Sequence, residues 1–160
     1  MQLCRFTQPA AMNPFSAHTA EIRRLVALWE PKLLALPTDV ITTLKNLGHL
    51  CDSATNNTHR IVHLQYQPTP LQFPDYANFG NNDRWISIQD YQHEDWNNLI
   101  QLWKYANLHL VHVIRNVDLS KLDNQWISSE TQLITLSENI EGYLPHFMLH
   151  LNEMEELMEE

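Results

Sequence analysis

Leu133, Leu136, Ile140, Leu144, Phe147, Leu151 and Met154 recur at intervals of three and four residues, the repeat of a single apolar face on an α-helix. A chain carrying such a stripe must bury it against another element. Three earlier segments offer matching faces. The first, about residues 16–36, carries Ile22, Leu25, Val26, Trp29 and Leu33, with Pro31 expected to kink or break it. The second, about 38–65, carries Val40, Leu44, Leu47, Cys51, Ala54 and Ile61 behind the N-cap types Thr38 and Asp39. The third, about 91–116, carries Trp96, Leu99, Trp103, Ala106, Leu110 and Ile114. With the fourth helix taken as about 131–158, and only Gly48, Gly80 and Gly142 to interrupt the chain, the expectation is an all-α four-helix bundle. A length of 160 residues with 44% hydrophobic side chains suits one domain over 1–160, with residues 1–15 expected to be flexible.

Between the second and third helices, "QPTPLQFPDYANFGNNDRW" holds Pro68, Pro70 and Pro74, followed by Gly80, Asn81 and Asn82, which suit left-handed turns. A connection this long is expected to be functional or a crossover that lets its flanking helices lie parallel. Its aromatics Phe73, Tyr76, Phe79 and Trp85 are expected to cover an open end of the core.

Charge narrows the partners. Nineteen acids against ten bases give −9, which argues against nucleic-acid backbones and anionic membranes. No run of about 18 apolar residues suggests a membrane span, and "MQLCRFTQPAAMNPF" lacks the pattern of a signal peptide. With only Cys4 and Cys51, the second inside a helical apolar pattern, a disulfide framework is not expected, and a reducing, cytoplasmic location suits the chain.

Nine histidines are the chemistry to explain. His146 and His150, like His59 and His63, stand four apart and share a helix face, so each pair can converge on one ion if a third ligand comes from elsewhere. His109 and His112 fall opposite the Trp103 stripe and read as surface residues. His146 and His150 flank the Phe147 stripe by about 60° to 100°, where a neighbouring helix can meet them; the residues alone leave them as metal ligands or as surface polar groups. Pro145, directly before His146, either bends the helix and aims a ligand or is tolerated strain. On the second helix His49, Asp52, Asn56 and His63 form a polar stripe nearly opposite Leu47 and Cys51, which by periodicity reads as solvated.

The stretch "GHLCDSATNNTHRIV" resembles the signature of the DinB/YfiT-like family of metal-dependent enzymes, in which a His-Leu-x-Asp-Ser pattern opens the site. The later segment Tyr143, Leu144, Pro145, His146, Phe147, Met148, Leu149, His150 resembles the family's second ligand segment. "FPDYANFGNNDRW", "YQHEDWNNLIQLWKYANLHLVHVI" and "LDNQWIS" resemble its middle section, so the likeness covers most of the chain after about Leu44. It implies an up-down-down-up bundle with the long crossover after Gln65, and His49, His146 and His150 as the ligands of one divalent transition metal. Leu149 stands where the family often has an additional His, and the Trp-Ser element that often precedes the first ligand helix is not recognisable.

Three neutral imidazoles without a thiolate suit zinc or nickel first, with iron or manganese as further candidates, and leave a coordination position open. The resemblance implies a metal-dependent hydrolase or a thiol S-transferase, bacillithiol transferases included, acting on a small molecule or a low-molecular-weight thiol. Asp52 and Asn56, one and two turns beyond His49, are candidates for orienting a ligand or touching substrate, or simply solvate the helix. No Glu follows His146 or His150 as a base does in zincin motifs, so two alternatives stand beside the enzyme: a non-catalytic metal-binding bundle, and a homodimeric interaction module. A metal assay separates the last from the others, and turnover separates the first two.

Overall fold

The computed structural model describes residues 13–37, 46–73, 81–129 and 132–159. They form five α-helices, α1 (Ser16–Leu34), α2 (Asn46–Leu64), α3 (Asn81–Gln89), α4 (Trp96–Arg115) and α5 (Leu136–Glu159), with a hairpin of β1 (Gln125–Ser129) and β2 (Gln132–Thr135). The fold is mainly helical, in keeping with the all-α expectation, with a small two-stranded hairpin that the expectation did not include.

The four long helices bury the stripes read from the sequence. Ile22, Leu25, Val26, Trp29 and Leu33 of α1 join Leu47, Leu50, Cys51, Ala54, Ile61 and Leu64 of α2 in one core. Leu99, Ile100, Trp103, Leu110, Val111 and Ile114 of α4, and Ile140, Tyr143, Phe147, Leu151 and Met154 of α5, complete it. Helix α4 packs against both α1 and α2, and α5 packs against α2 and more lightly against α1. At the centre, Phe147 stacks between Trp103 and Tyr143 with ring centroids 6.0 and 5.9 Å away. The Tyr143 hydroxyl donates to Asn107 Oδ1 at 2.5 Å, while the Trp103 indole nitrogen in the same layer is buried with no hydrogen-bond partner among the described residues. Ion pairs Lys104–Glu30 and Lys32–Glu155, at 2.8 and 2.7 Å, tie α1 to α4 and to α5 at the rim.

Several boundaries differ from the expectation. Helix α1 runs through Pro31 to Leu34 rather than breaking there. Thr38, Asp39, Val40 and Leu44 lie outside the described residues, as do Tyr76 and Phe79. Tyr91–His93 is a separate 3₁₀ turn, and α4 begins only at Trp96, where the Asp95 side chain accepts from Asn98 N at 2.9 Å. Within the long connection Asn81 and Asn82 open helix α3 instead of forming left-handed turns, while Trp85 is exposed. Asn13 and Phe15, inside the stretch expected to be flexible, make defined contacts: Asn13 Nδ2 donates to the carbonyl oxygens of Ile114 and Arg115, and Phe15 is buried.

The largest correction is at the start of the fourth helix. Residues 132–135 are a strand, with Trp126 opposite Ile134 and Ile127 opposite Leu133, so Leu133 leaves the helical stripe and stands 49% exposed. Helix α5 starts after Thr135 because Thr135 and Glu138 form a capping box. Glu138 Oε2 accepts from Thr135 N at 2.8 Å, and Glu138 N donates to Thr135 Oγ1 at 3.1 Å. Leu71, from the long connection, adds a parallel bridge to Trp126.

Candidate metal centre

Helices α2 and α5 bring three histidines together. His146 and His150, one turn apart on α5, have ring centroids 4.5 Å apart at an interplanar angle of 86°. From α2, His49 approaches them to 5.4 and 4.7 Å at 73° and 77°. One nitrogen from each ring lies within 4.8 Å of the other two, and no other group of three metal-ligating side chains converges in this way among the described residues. Three nitrogens on one tetrahedral zinc stand ~3.3 Å apart for Zn–N bonds near 2.05 Å, a separation that small rotations of half-buried rings can reach. The trio could therefore hold a metal ion.

The electrostatics favour a cation over protons. Burial holds the His49 imidazole below the ordinary histidine range; the neighbouring His150 lowers it further and Glu153 opposes. His146 falls to about 4, again chiefly through burial, then through His150 and His49. Both rings are thus neutral at pH 7, each with one nitrogen lone pair to give.

A carboxylate that sequence reasoning missed orients the third ring. His150 Nδ1 lies 2.7 Å from Glu153 Oε2, so in the neutral ring Nδ1–H donates to the carboxylate and Nε2 is left as the ligating nitrogen. The signal was present as the spacing of three between His150 and Glu153 on one helix. Glu153 falls outside the zincin pattern, in which the base follows directly after the histidine.

Asp52 faces inward rather than into solvent. It is 4% exposed, so the stripe that periodicity assigned to solvent turns inward here. Its Oδ1 accepts from the Tyr91 hydroxyl at 2.6 Å and from Gln89 Nε2 at 3.2 Å, tying α2 to the link between α3 and α4. Its Oδ2 is buried with no hydrogen-bond partner among the described residues. Gly48 makes this tie feasible: a Cβ there would fall 2.2 Å from Tyr91 Cδ2, so only a glycine lets the ring lie against the helix. Asn56 Nδ2 donates to the Asp52 carbonyl at 3.0 Å, a bond within α2.

The remaining histidines stand apart. His109 and His112 are exposed, as their wheel position implied, with rings stacked at 6.3 Å. His63 bonds Tyr66 through Nδ1 and lies against Phe73, away from the trio. Cys51 is free and buried, its thiol pKa pushed up by burial and then by Asp52, which makes it a packing residue rather than a ligand.

Comparison with protein-family models, with curated proteins and with solved structures gives no match in any of the three. The site's own chemistry therefore carries the functional argument. No helix among the described residues is long and apolar enough to cross a membrane.

Proposed function

We propose that His49, His146 and His150 hold one divalent transition metal, zinc or nickel before iron or manganese, in a DinB/YfiT-like enzyme of the hydrolase or thiol S-transferase type. The observation that carries this is the convergence of three imidazoles from two helices, with Glu153 setting the tautomer of one of them. Structural zinc sites are usually closed by four protein ligands and rich in cysteine, whereas three histidines leave a position open. A bound ion supplies Lewis acidity there, lowering the pKa of a coordinated water or thiol. The chain's own contribution is to present neutral nitrogens, fix the ring of His150 and keep the centre half-buried. S-transfer ranks level with hydrolysis because it needs no protein base, and Glu153 is already engaged by His150.

The packing of α1 and α2 on α4, and of α5 on α2 and α1, supports the four-helix bundle, for which we propose the up-down-down-up order. The partners that follow are a small-molecule substrate, such as a low-molecular-weight thiol, in a cytoplasmic protein that binds neither nucleic acid nor membrane. A non-catalytic metal-binding bundle is the competing reading. It is favoured by the engagement of Glu153 with the His150 ring, since a carboxylate that positions a ligand is not available as a base.

Elemental analysis tests the centre. Near one metal per chain is expected, lost in His146→Ala and kept in His63→Ala, and the reverse pattern refutes the assignment. Turnover tests the enzyme: protein reconstituted with zinc, nickel, manganese or iron is screened on thiols with electrophiles and on esters and amides, with His150→Ala as the blank. If no turnover exceeds that blank while azide still reaches the ion, the binding reading prevails.

A further inference from the structure

Two glycines flank the histidine centre, and they differ in what keeps them small. Gly48, beside His49, is held small by the Tyr91 ring. Gly142, one turn before His146 on α5, has no such neighbour: it is exposed, and a Cβ there would meet nothing within 4 Å among the described residues. Its backbone is ordinary helix inside α5, so no turn or left-handed conformation calls for glycine. Alanine would fit the position and favour the helix, since glycine is the poorest helix former after proline. The penalty falls where Pro145 already weakens α5. A residue that weakens its helix without easing any packing has its reason outside folding.

The histidines indicate that reason. Gly142, His146 and His150 step along α5 at intervals of four, each turned only about 40° from the next. Helical side chains lean toward the N-terminus, so the His146 imidazole reaches back over the turn that holds Gly142. Helix α2 runs the opposite way, since His49 meets His146 and His150 while Asn57, further along α2, meets Asn139. Asn139 Nδ2 donates to Asn57 Oδ1 at 3.1 Å, and with the buried Ser53 this bond closes the α2–α5 seam one turn before Gly142. Between that closure and the histidines, the rim of α5 carries no side chain at Gly142. Leu149, seven residues on and within about 20° of the same line, is exposed, so the rim on either side of His146 is apolar.

We infer that Gly142 is a specificity-determining position, its missing side chain leaving room beside His146 for a ligand of the centre that carries a bulky apolar group, such as a benzyl ring, next to its ligating atom. The inference rests on the metal-binding reading above and deepens it by naming the class of substrate admitted.

The test uses full-length protein loaded with cobalt(II), a spectroscopic substitute for zinc whose visible absorption reports ligands entering its coordination sphere. Azide is the small probe and benzyl mercaptan the bulky one; the thiol gives its proton to solvent as the sulfur binds. Both are expected to bind the unaltered protein saturably. Gly142→Leu should weaken benzyl mercaptan about tenfold or more and leave azide unchanged. Gly142→Ala, the second variant, should raise the urea midpoint and keep both ligands. Failure of benzyl mercaptan to bind the unaltered cobalt protein while azide binds, an unchanged affinity for it in Gly142→Leu, or an equal loss of both probes there would each overturn the inference. So would a lowered urea midpoint in Gly142→Ala, which would mean that the glycine lets the backbone accommodate Pro145. Absence of cobalt binding by the unaltered protein is a different failure, that of the metal-binding reading itself, and it removes the inference too.

Discussion

Glu153 Oε2 lies 2.7 Å from His150 Nδ1, one turn of helix placing a carboxylate behind the imidazole that faces His49 and His146. A partner of this kind fixes ring orientation and raises the basicity of the ligating nitrogen, and its removal ordinarily costs 10- to 100-fold in metal affinity. Glu153→Ala should therefore lower zinc affinity by about that factor, measured by competition with a chromogenic chelator, while His150→Ala loses the ion. Glu153→Gln, which keeps the acceptor but not the charge, should fall between. Equal affinity in Glu153→Ala and the unaltered protein would show that the contact is incidental.

The His146 ring carries a pH signature of its own. Its pKa falls from an ordinary 6.5 to about 4 in the folded chain, so on acidification the unfolded chain takes up the proton first. The folded state therefore has its full stability from this group above about pH 6.5 and loses it as pH drops toward 4. The loss is at most roughly 3 kcal/mol, and less after solvent screening. In chelator-treated protein, urea midpoints between pH 7 and 4.5 should fall more steeply than in His146→Gln. Parallel slopes would remove His146 as the cause.

Leu133 and Leu136 test where the last helix begins. The three-residue step between them reads as helix, yet Leu133 is 49% exposed on a strand while Leu136 is fully buried. Leu133→Thr, a good strand former, should change stability by no more than about 0.5 kcal/mol. Leu136→Ala should cost about 2–5 kcal/mol, both measured by urea unfolding. Comparable losses at the two positions would restore the longer helix.

That pair also shows what was legible. The long helices could be read because their buried residues follow one period for several turns, and α5 was misread only where Leu133 kept the period by chance. The capping box Thr135-x-x-Glu138 was the available correction, a local signal outweighed by the longer pattern. At the site, His146 and His150 were legible as an i, i+4 pair on a core-flanking face. His49 was not, because periodicity scores a polar stripe as solvated and cannot know that α5 and the Tyr91 link cover it. Only the resemblance to the His-Leu-x-Asp-Ser pattern turned that face inward. The Asp52–Tyr91 contact spans 39 residues, a separation at which no local rule applies.

Gly48 is where that long-range contact can be tested. On an isolated helix, Gly→Ala gains up to about 1 kcal/mol in propensity. Here the new Cβ would stand 2.2 Å from Cδ2 and 2.5 Å from Cγ of Tyr91. Those atoms sit at the root of the ring, so relief requires the whole side chain to swing away. Its hydroxyl then leaves Asp52 Oδ1, a buried carboxylate whose other oxygen has no partner among the described residues. A hydrogen bond to a charged group contributes about 1.5–3 kcal/mol, which exceeds the propensity gain, so Gly48→Ala should destabilise by about 1–2 kcal/mol. In a Tyr91→Ala background the clash and the bond are both gone, and the same substitution should become neutral or stabilising. The double-mutant cycle, measured by urea unfolding at pH 7, should thus show a coupling above 1 kcal/mol. Additive effects would mean that Gly48 is not kept small by Tyr91 and that Asp52 is held in place some other way.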